Sequence, residues 1–159
     1  MSEDPQAAAG PDGDALPAAA VVLTQVAVPE GLAAACAMSK VPVDAVPTPI
    51  GAVAVCRATG VGDPELVAQV VSQLLQNTPV LLVTQRGGRM TAARWSGGKQ
   101  EEELSPALVL DGTPPEIEQL LLGQVAAADL PGTVTSVGMS RWKAARILAS
   151  VARAGRRRG

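Results

Sequence analysis

The chain predicts an α/β fold, with α+β as the near alternative: a mixed sheet of about five or six short strands, including one hairpin, covered by about four helices. Three observations carry this. Val-rich apolar stretches alternate with stretches of helical spacing, a Gly87-Gly88 pair separates two strand-like runs, and the clearest helix opens on Asp63, Pro64 and Glu65.

Residues 1–17 mix Pro, Gly, Asp and Ala without periodicity and read as a disordered acidic tail. A single domain then spans 18–154, ahead of a basic C-terminal tail at 155–159. Residues 20–28 are β-rich, and 30–40, after Pro29, read as an Ala-rich helix. Pro42, Pro47 and Pro49 mark 41–50 as an extended connection, because proline has no N–H to give a ladder. Residues 51–57 read as a buried strand. In the following helix Asp63 suits the N-cap and Pro64 the first helical position, while Val67, Val70, Val71, Leu74 and Leu75 form one apolar stripe. Asn77 and Pro79 end it.

Runs 80–83 and 90–95 flank the Gly-Gly pair, a strong signal for a two-residue hairpin turn. That register sets Leu82, Thr84, Arg86, Arg89, Thr91, Ala93 and Trp95 on one face, and Leu81, Val83, Gln85, Met90, Ala92 and Arg94 on the other. Glu101, Glu102 and Glu103 read as an acidic loop and 107–110 as another strand. Thr113-Pro114-Pro115-Glu116 has the capping-box pattern ahead of a helix carrying Ile117, Leu120 and Leu121. After a short strand within 133–137, Ser140 caps a final helix to about residue 154. On that helix Ala144, Ile147, Leu148, Val151 and Ala152 share one face, and Trp142, Lys143, Arg146 and Arg153 the other.

The length of 159 residues suits one core, and that core must be built from small side chains. Apolar residues make up 47% of the chain, yet Phe and Tyr are absent and Trp95 and Trp142 are the only aromatics. Each buried Val or Leu contributes about 1.5–3 kcal/mol, so many close contacts are needed. Heavy use of Ala, Val, Gly and Arg is that of a GC-rich bacterial genome. No run approaches the roughly 20 apolar residues of a membrane helix. The first residues carry acids where a secretory signal carries positive charge, so the expected compartment is the cytoplasm, without a membrane partner.

Histidine is absent, which removes the commonest general base and metal ligand. Cys36 and Cys56 lie among apolar neighbours and read as buried free thiols. No catalytic, metal or cofactor set emerges. The carboxylates of Glu101 to Glu103, or of Glu116 and Glu118, have the settings of a solvated loop and a helix first turn, so the chain reads as no enzyme.

Charge supplies the functional reading. Residues 1–130 hold six basic and fifteen acidic residues, a balance of −9, whereas 131–159 hold seven basic residues and no acid, and together they give the net −2. The basic set is Arg141, Lys143, Arg146, Arg153, Arg156, Arg157 and Arg158. With Trp142 it forms the first candidate surface. The second is the hairpin tip, where Arg86 stands opposite Arg89 and an anion fits between them. A third, the Ala58 to Asp63 turn with Gly60 and Gly62, lacks the full pattern of a dinucleotide or P-loop site. The expectation is a non-catalytic binding, assembly or accessory protein that contacts an acidic protein surface. RNA or DNA is the alternative partner, self-association is open to it, and a small-ligand sensor is a further class.

Overall fold

Seven short segments pair into one sheet, in the computed structural model that describes the backbone of residues 18–158 and side chains through 154. The segment 1–17, expected as an acidic tail, lies outside the described residues, as do the side chains of Arg156, Arg157 and Arg158. The elements are β1 (Ala19–Leu23), α1 (Pro29–Met38), β2 (Val43–Val46), β3 (Val53–Cys56), α2 (Asp63–Leu74), β4 (Val80–Arg86), β5 (Arg89–Ser96), β6 (Lys99–Leu104), α3 (Pro106–Asp111), α4 (Pro115–Leu121), a 3-10 turn (Ala127–Asp129), β7 (Val134–Thr135) and α5 (Arg141–Arg158). Spatial order is β6-β5-β4-β1-β3-β2-β7, antiparallel throughout.

The period of two decides the layers. Ala20, Val22, Val43, Ala45, Ala54 and Leu82 face one way and meet Leu32, Ala33 and Cys36 of α1 and Val67, Ala68 and Val71 of α2. Val21, Leu23, Val53, Val83 and Ala92 face the other way and meet Ile117, Leu120 and Leu121 of α4. Central β1 is therefore apolar on both faces, with Ala20 to Leu23 all buried. Both faces of the antiparallel sheet are covered, the less common arrangement for this sheet type.

Helix α5 makes a further layer outside α1. Ala34 and Ala37 of α1 pack with Ala144, Ile147 and Leu148, and Val151 stands over Gly31 near the start of α1. The two helices therefore run antiparallel, and α5 continues beyond Val151 past the beginning of α1. A Cβ added at Gly31 would lie 3.5 Å from a Val151 methyl, ordinary van der Waals contact.

The α/β class holds: the described residues form seven strands where five or six were expected and five helices, with antiparallel pairing in place of a mixed sheet. The extra strands come from segments read as loops. Pro42 and Pro47 flank β2 without entering it, so residues 43–46 keep their N–H groups and pair with β3, and Asp44 and Ala45 also pair with β7. Glu101 to Glu103 lie on β6, entered through a second Gly-Gly turn at Gly97 and Gly98. Both turns hold positive φ at their two glycines, 60° and 83° in the first and 58° and 87° in the second, as a type I′ turn requires. Residues 107–110 are helical in α3, because Ser105 and Pro106 supply the N-cap position and a preset φ. At α4 the capping box does not form: Pro114 occupies the N-cap, and the Thr113 hydroxyl donates back to the Leu110 carbonyl at 2.9 Å. At α2 the N-cap is Gly62, and Asp63 begins the helix with its carboxylate accepting the Gly60 N–H at 3.0 Å. Helix α5 passes Ala154 and continues to Arg158, since the single Gly155 is followed by arginines, good helix formers.

One buried polar side chain ties the hairpin to the far layer. Gln85 donates through Nε2 to the Leu121 carbonyl at 2.9 Å and accepts the Gly88 N–H through Oε1 at 2.7 Å. Gln85→Ala should lower unfolding free energy by about 2–4 kcal/mol in urea denaturation, because it strands a buried carbonyl and a turn N–H. The α1–α5 contact gives a contrast: Ala34→Leu should cost about 1–3 kcal/mol through overpacking, whereas Gly31→Ala should be neutral or stabilise by up to about 1 kcal/mol.

Candidate functional site

The basic face of α5 is positioned by the small residues beneath it. Ser140 accepts the Lys143 N–H at 3.0 Å and starts the helix where expected. Ala144 is buried, while Ile147, Leu148 and Val151 are half-buried against α1. Arg141, Lys143, Arg146 and Arg153 are exposed, and so is Ala152, which was expected on the packing side. Trp142 is 74% exposed. None of these cations joins an ion pair among the described residues; the pairs present are Arg57 with Asp44 and Arg94 with Glu101 and Glu102.

Arg94 accounts for much of the acidic β6. It faces Glu102 directly across the ladder at 2.5 Å, and a bulge between Arg94 and Trp95 also brings Glu101 to 3.2 Å. Neighbouring strand residues normally point to opposite faces; the irregular register lets both glutamates reach one guanidinium.

The hairpin tip has the expected register, with Arg86 opposite Arg89 and Thr84 opposite Thr91. The structure also joins it to the Ala58 to Asp63 turn: Arg86 Nη2 donates to the Gly60 carbonyl at 3.0 Å. Between the hairpin and the first turn of α2 lies a cleft of about 180 Å³, lined by Glu65, Thr84, Arg86, Arg89 and Thr91. Thr84 and Glu65 were not singled out from the sequence. The hairpin register places Thr84 beside the arginines, but only tertiary packing brings Glu65 to them.

A larger, open cleft of about 710 Å³ lies between α3, α4 and β5, lined by Met90, Ser105, Pro106, Leu110, Asp111 and Glu118 among others. At the other end of the sheet Arg57 Nη1 reaches Asp44 at 3.2 Å and the Thr135 hydroxyl at 3.3 Å, a surface pair worth little to stability. Among the described residues no group of three or more His, Cys, Asp or Glu could hold a metal ion, and no helix is long and apolar enough to cross a membrane. No family model matches the chain, and no curated protein or solved structure matches it.

Cys36 and Cys56 are free and buried in the layer between the sheet and the helices α1 and α2. Burial pushes the Cys36 thiol up to about 12. Cys56 also rises to about 12, through burial first, then the nearby Cys36, Glu65 and Asp63. Thiols in this state are poor nucleophiles. Iodoacetamide at pH 8 should label neither in the folded protein and both in urea. Because each folded pKa lies above the ordinary 9.0, the thiols' contribution is complete below pH 9 and is lost as pH climbs toward 12. The urea midpoint should therefore fall across that window, less steeply in Cys36→Ala/Cys56→Ala.

Proposed function

We propose that the chain is a non-catalytic binding or assembly protein of the cytoplasm that contacts an acidic protein surface through the outer face of α5. One observation carries the reading: of the two aromatic residues, one is buried in the core and the other, Trp142, stands 74% exposed among Arg141, Lys143 and Arg146. Trp and Arg are the residues most enriched at binding hot spots, where the ring fills a slot and the guanidinium pairs with a carboxylate. Among the described residues no carboxylate pairs with these cations, which leaves them available to an acidic partner. Arg153 continues the surface beyond the start of α1.

The same chemistry would let Trp142 stack on a base, so nucleic acid is the reading to test against. The −9 balance of residues 1–130 opposes it by repelling a polyanion.

Affinity purification of the full chain at two salt concentrations separates these. A protein should be retained at low salt, lost with Trp142→Ala and with Arg146→Glu/Arg153→Glu, while the melting temperature changes little because these side chains face solvent. Nuclease-sensitive retention, with binding to labelled RNA or DNA that falls steeply between about 50 and 200 mM salt, would replace this reading with the nucleic-acid one. Retention unchanged in both variants would remove α5 as the binding face.

A further inference from the structure

The cleft at the β4–β5 hairpin carries an inference independent of α5. We propose that it is a binding site for a small oxyanion, a phosphate or carboxylate group, held between the Arg86 and Arg89 guanidiniums with the Thr84 hydroxyl beneath them.

The turn forces the arrangement. Gly87 and Gly88 put Arg86 directly opposite Arg89, and Thr84 opposite Thr91 two residues back, so two alternate rungs project four polar side chains from one sheet face. Like charges opposed in this way are unfavourable. Among the described residues no carboxylate relieves that repulsion: Glu65 lines the cleft but forms an ion pair with neither guanidinium. An oxyanion bridging the two converts the repulsion into a pair of charge-assisted hydrogen bonds.

Three further features point to such a ligand. Arg86 is already held in place by its bond to the Gly60 carbonyl at 3.0 Å, so less side-chain freedom is lost on binding. Arg89 has no partner among the described residues, which leaves its donors open. Thr84 is 8% exposed, lines the cleft, and its hydroxyl makes no hydrogen bond among the described residues. That hydroxyl opens onto the cleft, and an anion there supplies an acceptor for it.

The cleft, about 180 Å³ and open to solvent, is below the usual range for sites that enclose a whole organic molecule, so it suits recognition of an oxyanionic group whose remainder lies outside. Glu65 limits affinity, since its carboxylate shares the cleft with the incoming charge. That opposition gives the site a signature: removing Glu65's charge should strengthen binding while removing Arg89's weakens it.

Inorganic phosphate titrated into the full chain by calorimetry tests this, with chloride at matched ionic strength as control and acetate as the carboxylate arm. One phosphate should bind, with affinity falling about tenfold in Arg89→Met, which keeps the aliphatic stem. Thr84→Val should weaken binding several-fold and Glu65→Gln should tighten it several-fold. Acetate binding that responds to the same variants marks a carboxylate site; phosphate alone marks a phosphate site. Phosphate heats equal to those of chloride, or an affinity untouched by Arg89→Met, would overturn the proposal. Loss of binding in Arg146→Glu/Arg153→Glu, with Arg89→Met unaffected, would move the anion to α5 and overturn it equally.

Discussion

Helix α1 is buried on two sides at once, against the sheet through Leu32, Ala33 and Cys36 and against α5 through Gly31, Ala34 and Ala37. An ordinary amphipathic helix has one apolar stripe and one wet face. This one has no wet face of any width, and it satisfies both neighbours by being narrow: small side chains allow two layers to approach the same short helix. Longer side chains on its outer face would lift α5 away, and with it the Trp142 surface. The absence of Phe and Tyr is thus a structural condition of the fold, because a core of Ala and Val gains its dispersion energy from proximity and not from large contact faces.

Local chemistry was legible in the sequence, and non-local pairing was not. The β4–β5 hairpin was readable to the residue, since Gly87-Gly88 fixes both turn and register. The identical signal in Ser96-Gly97-Gly98-Lys99 was obscured by the three glutamates after it, whose place in a strand depends on Arg94 across the ladder. Strand β2 was hidden by its prolines: a segment of four residues between Pro42 and Pro47 shows its nature only through its partners, the following strand β3 and the distant β7. Helix α3 is too short for periodicity to distinguish it from a strand, and Ser105-Pro106 was its one usable mark. At α4, backbone geometry set by the consecutive prolines won over the capping-box pattern.

The candidate sites divide the same way. The faces of α5 follow from helical spacing, and the structure turns Trp142, Lys143, Arg146 and Arg153 outward together, with only Ala152 misassigned. The opposition of Arg86 and Arg89 also follows from register. What the sequence could not display is their enclosure by α2, with Glu65 and the Gly60 carbonyl beside them, because that depends on how the helix lies on the sheet. The two basic surfaces are consequently different in kind. One is convex and carries an aromatic side chain, suited to another macromolecule; the other is a small recess lined by two arginines and a threonine hydroxyl.

Helices cover both faces of the sheet, so its two borders are where it could still grow. On one side β6 presents Lys99, Gln100 and three glutamates, nearly all exposed. On the other, β7 is only two residues long. A charged border discourages a further strand from docking, and a border of two residues offers too few hydrogen bonds to hold one. The sheet is closed to indefinite extension by opposite means at its two ends, which protects a Val-rich chain from fibril-like stacking.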